Sequence, residues 1–396
     1  MKLTAPDAEV VIIGGGPAGA ATATPLAQAG RKVIICEARD FRQSQPNNLG
    51  TGEVLSPGAQ VELEKLGLPC QGAAWRLDDF DRLRQYWTTG QTTVQRLPGK
   101  LRYWQTERGE FDRCLLDFAA AKGVEVLKGH RVSGVVHAIE QGPVTGVTLQ
   151  GSSITELRSR VVVDASGRRS PLLARLNLKE PETEFQRMAL VCFFSEVPQT
   201  IAGEWEQHFL GRGNTTLNGS RMRDGLYRFT LETDITMREQ FKHLHRPLDL
   251  FLAILELVRP ALVARFTQAT PLSYATAFTP VGYRVSRPVQ AGLVLVGDTT
   301  GYLDPATGQG IEFALRTARL AGRAIEEAFK KGDFSAEAFT LYQVGLEKEI
   351  ARARRDLRLY LRLTRRERLL RTLGQIGPLR AIAVRRLVRP RPAIKI

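Results

Sequence analysis

The sequence predicts an α/β protein with three parts: a parallel-sheet domain, an antiparallel-sheet domain inserted into it, and a helical C-terminal region. Three observations predict this fold class. A strand, a glycine-rich turn, a helix and a second strand follow one another between residues 8 and 37. Strand-like segments separated by turn residues occupy residues 186–234. Apolar residues recur at helical spacing after residue 347.

The composition fits a folded intracellular protein with room for more than one domain. The chain has 396 residues, 43% of them hydrophobic, which is enough for a large core. Its four cysteines contain no C-x-x-C pair, and its five histidines form no ligand set with them. We therefore expect neither a disulfide framework nor a bound metal, and we expect a reducing compartment.

The first predicted element is a buried parallel strand, because Val10 to Ile13 is a β-branched apolar run. A secretory signal is the alternative interpretation of this N-terminus. However, Asp7 and Glu9 precede the apolar run and three glycines interrupt it, whereas a signal peptide needs a continuous apolar stretch. The sequence also contains no run of about 18 apolar residues that would span a membrane.

The turn after this strand has the spacing of a phosphate-binding loop. Gly14, Gly16 and Gly19 form G-x-G-x-x-G, which permits a tight turn, close approach of a pyrophosphate, and close helix packing. A helix over Ala18–Ala29 would point its N-terminus at the phosphate charge. The next predicted strand ends at Glu37, about 20 residues further on, where a carboxylate can bind a ribose. The order of these elements predicts an ADP-binding, Rossmann-like βαβ unit.

Two later stretches add to this unit. SRVVVDASGRRSPLLARL (residues 159–176) is another buried strand, and it leads into Asp164 and Gly167. AGLVLVGDTTGYLDPATGQGIEFALRTARLAG (residues 291–322) is a strand, Gly297-Asp298, a loop and then a long helix. Either stretch alone is typical of an ordinary strand-to-helix turn with aspartate as a cap.

A further segment completes the pattern, since Arg108, Phe111, Asp112 and Leu115 follow R-x-x-F-D-x-x-L spacing. In this order, the motifs resemble those of the FAD-dependent oxidoreductases of the p-hydroxybenzoate hydroxylase-like superfamily. Within it, they are most similar to the branch of the geranylgeranyl reductases and flavin-dependent halogenases. The resemblance extends from about residue 8 to about residue 325.

This resemblance implies an FAD site with defined roles. The loop glycines would hold the pyrophosphate, and Glu37 would bind the adenosine ribose. The backbone of Val132 would contact the adenine, and Arg108 would lie alongside the extended FAD. Asp298 would bond the ribityl chain, and the N-terminus of the long helix would stabilise negative charge on the reduced flavin. The implied cofactor-binding residues are Gly14, Gly16, Pro17, Ala18, Gly19, Glu37, Ala38, Arg108, Val132, Asp164, Gly297, Asp298, Pro305, Gly308, Gln309 and Gly310. No catalytic residue is assigned.

The predicted FAD-binding domain is discontinuous, over residues 1–70, 100–185 and 270–330. Residues 71–99 and 186–269 would form the antiparallel-sheet substrate domain, with a hairpin around Thr89-Gly90. In the family that the chain resembles, such a sheet forms the wall of the substrate chamber. The remaining residues, 331–396, would form a basic helical C-terminal appendage.

Most of the positive charge lies at the C-terminal end. The net charge is +15, and residues 347–396 hold sixteen Lys/Arg against four Asp/Glu, or +12. This amphipathic region either binds an acidic partner or an anionic membrane surface, or packs its apolar face on the body with solvated arginines. It lacks interleaved aromatic residues, so nucleic acid is not expected. We expect a cytoplasmic protein, with peripheral membrane association as the alternative.

The resemblance leaves three flavin reactions: monooxygenation through a flavin C4a-hydroperoxide, reduction of a carbon–carbon double bond by hydride from flavin N5, and halogenation. Gly52, Glu53 and Pro57 match a halogenase segment, but no lysine lies between Leu66 and Gly99, where those enzymes place one that transfers the halogen. The aromatic Y-x-W-x-F-P motif of the prenyl reductases is absent too. A monooxygenase is therefore favoured, and Glu53 is either catalytic or a helix-start residue.

An apolar sheet would suit a lipophilic or aromatic small-molecule substrate, free or tethered to a carrier, as in secondary metabolism. The sequence contains no second nucleotide fingerprint. NAD(P)H would therefore act as a transient reductant, unless a separate reductase supplies the electrons. An FAD-containing scaffold with a basic interaction tail is the non-enzymatic alternative.

Overall fold

A computed structural model describes residues 6–40, 53–70, 73–97, 99, 101–140, 142–151, 153–198, 201, 203–222, 225–272, 275–302 and 305–366. Gly52 of the halogenase-like segment and residues 367–396 of the basic C-terminal end lie outside these described residues.

In the described residues the strands are β1 (Val10–Ile13), β2 (Val33–Glu37), β3 (Glu53–Leu55), β4 (Arg76–Phe80), β5 (Arg82–Tyr86), β6 (Thr92–Arg96), β7 (Tyr103–Thr106), β8 (Glu125–Lys128), β9 (Arg131–His137), β10 (Val144–Gln150), β11 (Glu156–Arg158), β12 (Val161–Asp164), β13 (Lys179–Pro181), β14 (Arg187–Ser195), β15 (Glu204–Phe209), β16 (Thr216–Arg221), β17 (Leu226–Asp234), β18 (Thr270–Pro271), β19 (Thr276–Phe278), β20 (Tyr283–Val285), β21 (Val289–Gln290), β22 (Leu293–Leu295) and β23 (Gly301–Tyr302). The helices are α1 (Pro17–Gln28), α2 (Pro57–Leu66), α3 (Arg108–Ala121), α4 (Pro171–Arg175), α5 (Thr236–Gln240), α6 (Pro247–Val258), α7 (Pro260–Thr267), α8 (Gly310–Lys331) and α9 (Thr340–Arg365).

A six-stranded sheet in the order β21-β22-β12-β1-β2-β8 forms the centre of the first domain. Its strands run parallel, except that β21 is antiparallel to β22. All of β1 is buried, because both faces of the sheet are covered. Val10 and Ile12 pack with α1, α3 and α8, whereas Val11 and Ile13 pack on the side of β9, β10 and β11. The predicted Rossmann-like βαβ unit is confirmed.

The second domain is built on an eight-stranded sheet, β18-β14-β17-β16-β15-β5-β6, with β19 beside β14. The pairs are antiparallel, apart from the parallel pair of β15 and β5. β5 and β6 form the predicted hairpin, whose turn holds Gly90 at φ +81°. One face of the sheet packs on α6 and α7 through a cluster that includes Phe194, Phe251 and Phe266.

The opposite face of this sheet is polar across β5, β15 and β16 and apolar at Val191 and Phe193 of β14, so it is only in part the apolar sheet expected from the sequence. Gln85 Nε2 donates to Gln207 Oε1 at 3.0 Å, and Gln207 Nε2 donates to Asn218 Oδ1 at 3.1 Å. These amides link β5, β15 and β16. Strand alternation explains the difference, because many large apolar residues of the sheet point to the other face and form the core.

A smaller three-stranded sheet joins the two domains, with β7 between β3 and β4. The segment 71–99 is therefore divided, since β4 pairs with β7 while β5 and β6 belong to the eight-stranded sheet. The exact domain boundaries stay a prediction.

The helix α9 ends the described chain and confirms the predicted helical C-terminal appendage. Leu357 and Leu361 are buried on its inner face and pack against Phe185, so the apolar face covers the body. Its arginines are not simply solvated, because Arg354 Nη1 lies 2.6 Å from Glu182 Oε2. Among the described residues, no helix is long and apolar enough to cross a membrane.

Candidate active site

A groove of about 660 Å³ runs along the carboxyl edge of the parallel sheet, where α/β proteins bind nucleotides. It extends from β9, past the turn after β1, to the turn before α8. The predicted residues that line it are Gly14, Gly16, Pro17, Ala18, Glu37, Ala38, Arg108, Val132, Asp298, Gly308 and Gly310. Gly19, Asp164, Gly297 and Gln309 lie beside or behind it, and Pro305 begins a short 3-10 helix, Pro305–Thr307.

The three loop glycines have different structural roles. Gly14 has φ +93°, and a Cβ there would lie 2.9 Å from the carbonyl oxygen of Ala165. A Cβ on Gly19 would lie 1.9 Å from the carbonyl oxygen of Gly14, so both glycines are required by the turn and its packing. Gly16 faces open space, with no described atom within 4 Å of a Cβ built there. A ligand can therefore approach the N-terminus of α1 at Gly16.

Glu37, at the end of β2, is buried and more constrained than its sequence position suggested. Its Oε2 accepts a hydrogen bond from the Gly15 amide at 2.7 Å, and its Oε1 accepts one from Arg39 Nε at 3.0 Å. Arg39 also pairs with Asp112 at 3.1 Å. The carboxylate therefore holds the glycine loop in place, in addition to facing the groove.

Arg108 begins α3 and lines the groove. Its Nε donates to Asp112 Oδ1 at 3.0 Å, and its Nη1 lies 3.8 Å from Glu53 Oε1. Burial lowers the pKa of Arg108, but the charges of Asp112 and Glu53 raise it by more, so the guanidinium stays charged. Glu53 belongs to β3, and the N-cap of α2 is Ser56, so the interpretation of Glu53 as a helix-start residue is wrong.

Asp298 lies at the far end of the groove, in the 3-10 turn Gly297–Thr300. No described residue donates a hydrogen bond to its carboxylate. Burial raises its pKa to about 6, and the positive charges of Arg168 and Arg108 offset this effect only in part. A desolvated carboxylate without a donor suits a ligand that carries hydroxyl groups. Gly308 and Gly310 complete this end, directly before the first turn of α8.

Asp164 supports the groove from behind and is not among the described residues that line it, and its predicted cofactor contact stays a prediction. Its carboxylate accepts hydrogen bonds from the Ser166 amide at 3.0 Å and from the Ser170 hydroxyl. Its backbone oxygen accepts a bond from Thr299 Oγ1 at 2.7 Å. Asp164 thereby joins the turn after β12 to the turn that holds Asp298.

The groove has an excess of positive charge. Five of the arginines that line it form no ion pair with a described carboxylate: Arg131, Arg168, Arg169, Arg175 and Arg228. Guanidinium groups and the amides of a helix N-terminus both favour phosphate. The groove therefore suits an extended dinucleotide with a diphosphate centre.

Arg168 was not among the predicted residues, although it stands directly after Gly167. Its Cζ lies 4.3 Å from the ring centre of Phe278 and 4.2 Å from that of Tyr302, so the guanidinium is stacked between two aromatic rings. Its Nη2 donates to the Val281 oxygen at 3.0 Å. Sequence reasoning had no signal for this arrangement, because the partners are distant along the chain.

A second cavity, of about 370 Å³, lies beneath α9 and meets the groove at Asp298, Tyr302 and Gly310. Apolar residues of β20, α8 and α9 form much of its wall: Val285, Phe313, Ile350, Ala353 and Leu357. Gln309 lines this cavity rather than the groove. None of the described residues that line either cavity is a lysine.

Several charged residues of this second cavity are paired with one another. Arg316 of α8 lies 3.1 Å from Glu312 and 3.2 Å from Glu349 of α9. The hydroxyl of Ser56 donates to Glu312 at 2.7 Å. This buried chain connects the start of α2, the first turns of α8 and the middle of α9, and leaves the cavity without an unpaired ionic group from these residues.

Most aromatic residues of the large sheet pack in the core. Trp87 stacks on Phe209 at 4.6 Å, and Tyr86 stacks on His208 at 4.3 Å. Phe278 of β19 lines the groove, and Trp205 lies close to it, since its ring would be 4.0 Å from a Cβ on Gly308.

The groove, its glycine loop and the turn before α8 together define a dinucleotide-binding oxidoreductase. Residues 7–342 match the family described as FAD binding domain, so the chain belongs to this family. Its cofactor is FAD, and the protein is an FAD-dependent oxidoreductase.

Relatives of known activity include halogenating enzymes and reductases. The 1H-pyrrole-2-carbonyl-peptidyl-carrier protein chlorinase of Pseudomonas fluorescens is 29% identical, over 90% of this chain and 84% of that protein. The digeranylgeranylglycerophospholipid reductase 1 of Methanopyrus kandleri is 27% identical, over 86% of each chain.

Solved structures with the same fold include members of both kinds. A flavin-dependent brominase superposes with a TM-score of 0.80 at 23% identity, covering 96% of this chain and 93% of its own. A geranylgeranyl bacteriochlorophyll reductase-like protein from Thermoplasma acidophilum has a TM-score of 0.75 at 19% identity, covering 96% and 95%. These likenesses confirm the predicted fold class.

Proposed function

We propose that the protein is an FAD-dependent monooxygenase whose substrate places a compact aromatic group in the cavity beneath α9. The observation that carries this proposal is the character of that cavity. It has an apolar wall, a mutually paired set of Glu312, Arg316 and Glu349, and direct contact with the end of the groove at Asp298 and Gly310. Its volume of about 370 Å³ is near the lower end of the ~300–1,000 Å³ of ligand pockets, which suits a ring better than a long isoprenoid.

In this proposal the groove would hold FAD. Gly16 and the N-terminus of α1 would hold its diphosphate, Val132 would contact its adenine, and the Asp298 carboxylate would accept a hydrogen bond from a ribityl hydroxyl. The open space at Gly16, the unpaired arginines and the Asp298 carboxylate without a donor all fit this ligand.

FAD, when bound and reduced, supplies the activation of molecular oxygen. The residues of the chain hold the substrate, exclude water and stabilise charge. The N-terminal turn of α8 favours negative charge at the adjoining end of the cofactor. The apolar side chains of Phe313, Ile350 and Leu357 keep the neighbouring space dry, which limits unproductive loss of the activated oxygen.

Halogenation is less well supported, although relatives named chlorinase and brominase are similar to this chain. The halogenases use a lysine to transfer the halogen, and no described residue lining either cavity is a lysine. The region between Leu66 and Gly99 contains none either.

Reduction of a carbon–carbon double bond is the second candidate, favoured by the similarity to the digeranylgeranylglycerophospholipid reductases. For either reaction we assign NAD(P)H as the reductant, without a nucleotide domain of its own. The names of the pyrrole relatives support a substrate that arrives tethered to a carrier protein.

Product mass separates these reactions. The purified protein should be yellow and should oxidise NAD(P)H faster when a 1H-pyrrole-2-carbonyl thioester is added as the probe. A product heavier by one oxygen atom supports monooxygenation. Gain of two hydrogen atoms identifies a reductase, and replacement of hydrogen by chlorine or bromine identifies a halogenase; either outcome overturns the proposal.

A matched pair of variants tests the position of the substrate. Ala353 lines the cavity, whereas Ala351, on the same helix, is exposed. We expect Ala353→Phe to fill the cavity and reduce probe-dependent turnover at least tenfold with FAD retained, and Ala351→Phe to have little effect. Equal activity of the two variants would contradict the assignment of this cavity.

A further inference from the structure

A row of basic residues follows the outer face of α9. Lys348, Arg355 and Arg362 are seven residues apart, so they project in nearly the same direction, with a drift of about 20° per step. Arg366 follows at the C-cap. All four side chains are exposed. We call Lys348, Arg355, Arg362 and Arg366 the basic stripe.

The basic stripe is unpaired, unlike the arginines on the other faces of the same helix. Arg352 pairs with Glu349 at 3.2 Å, Arg354 with Glu182 at 2.6 Å, and Arg358 with Glu184 at 2.6 Å. No carboxylate of the described residues forms an ion pair with any member of the stripe. Ordinary intramolecular pairing therefore accounts for the inward arginines and leaves the stripe without an intramolecular partner in the described chain.

The sequence beyond Arg366 does not offer a counter-charge. Residues 367–396 contain eight Lys/Arg and one Glu, so this end of the chain carries the same sign as the stripe. Electrostatic complementarity requires an acidic surface on another molecule.

The helix that carries the stripe also forms part of the wall of the second cavity. Ala353 and Arg354 line that cavity, and Arg355 follows them in the same helical turn. A partner bound along the outer face of α9 would therefore sit beside the wall of the space that we assign to the substrate.

We infer that the basic stripe is the docking surface for an acidic carrier protein that delivers the tethered substrate to the cavity beneath α9. The chemical identity of the tethered substrate in this inference rests on the proposed function. The identity of the docking partner rests on the charge of the basic stripe alone. Charge complementarity of this kind raises the association rate and makes binding sensitive to salt.

An anionic membrane fits the stripe less well. A membrane-surface helix buries a broad apolar face in the lipid, but the large apolar residues Leu357 and Leu361 of α9 are buried in the protein. Leu341 and Val344, at the start of α9, are its exposed large apolar residues among those described. Two such side chains suit a small contact with a protein better than insertion into lipid.

The test compares two quadruple variants with the same loss of charge. The first carries Lys348→Gln, Arg355→Gln, Arg362→Gln and Arg366→Gln. The control carries Lys122→Gln, Lys242→Gln, Arg323→Gln and Lys331→Gln, which are exposed residues on other faces. The probes are purified holo acyl carrier protein, purified holo peptidyl carrier protein, and phosphatidylcholine vesicles containing phosphatidylserine, each with the FAD-loaded full-length chain.

We expect at least one carrier protein to bind the wild type in low salt and to dissociate as salt is added. The stripe variant should bind it at least tenfold more weakly, while the control variant binds within about twofold of wild type. Both variants should keep their FAD and their turnover of the free thioester probe. Binding of neither carrier protein, equal weakening in both variants, or loss of vesicle binding alone would overturn the inference. Because binding is read without turnover, these outcomes are independent of which flavin reaction the enzyme performs.

Discussion

Replacing Asp298 by asparagine removes a charge that the folded protein holds in a poorly solvated position. Burial raises the pKa of this carboxyl group from 3.8 to about 6. A shift of about two pKa units corresponds to about 3 kcal/mol between the protonation states, and this is an upper value because Asp298 also faces the groove. In the unfolded chain the carboxylate is not buried, so its pKa is not raised.

The sign of the effect follows from proton binding. Between about pH 4 and about pH 6 the folded protein binds this proton more tightly than the unfolded chain, so the free energy of unfolding falls as the pH rises. Above about pH 6 the Asp298 carboxyl group is ionised in both the folded and the unfolded state, and the free energy of unfolding falls no further on its account. An asparagine side chain at this position cannot ionise. The free energy of unfolding of the Asp298→Asn apoprotein should therefore not show this fall with rising pH.

The assay is urea unfolding of the FAD-free proteins at about pH 4 and about pH 7.5. We expect Asp298→Asn to exceed the wild type by up to about 3 kcal/mol at the higher pH and to match it at the lower pH. Asp249→Asn is the control, since the Asp249 side chain is 43% exposed. A difference between Asp298→Asn and wild type that is the same at both pH values would refute the reasoning.

Four further substitutions follow from the groove and the cavity. Gly16→Ala should fold normally but bind FAD more weakly, because its methyl group enters open space near α1, whereas Gly14→Ala should lower the melting temperature itself, because its φ is +93°. Glu37→Gln should weaken FAD binding about tenfold or more, judged by flavin fluorescence, since it disturbs the ion pair that positions the glycine loop. Arg316→Met should lower the free energy of unfolding by about 3–5 kcal/mol in urea titrations, because it leaves the buried Glu312 carboxylate without an ion-pair partner and removes one of the two partners of Glu349. A wild-type melting curve for Gly14→Ala or Arg316→Met would contradict these assignments, as would wild-type FAD affinity for Gly16→Ala or Glu37→Gln.

The parts of the fold that the sequence predicted well depend on local patterns. The run Val10 to Ile13 became β1 over the predicted residues, and the long helix begins at the predicted Gly310. In both places a periodic apolar pattern and a glycine with a specific backbone role lie within a few residues of each other. Such signals do not depend on distant parts of the chain.

The second cavity could not be predicted, because its walls come from separate elements. Tyr302, Phe313 and Ala353 meet only after β23, α8 and α9 have packed together. The polarity of the large sheet was misjudged for a related reason. Alternation assigns residues to two faces, but the sequence does not say which face will be covered by α6 and α7.

The sequence predicted the positions of some residues of the cofactor site better than those of others. Gly16 and Asp298 line the groove as the motifs suggested, but Asp164 does not, since its side chain bonds to Ser166 and Ser170. An aspartate at the end of a buried strand has the same sequence signature in both roles. Only the neighbouring hydroxyl groups distinguish a ligand contact from a turn support.

The buried ionic chain through Arg316 determines where this protein can be shortened. A truncation that removes residues from 347 onward would delete Glu349, expose the apolar lining of the cavity and leave Arg316 with Glu312 as its remaining ion-pair partner. Expression clones designed to isolate the nucleotide-binding region should therefore retain the helix through Arg365 and place any cut after it. A deletion that removes part of this helix would disturb folding. Its effect on binding would therefore not show what the outer surface of the helix binds.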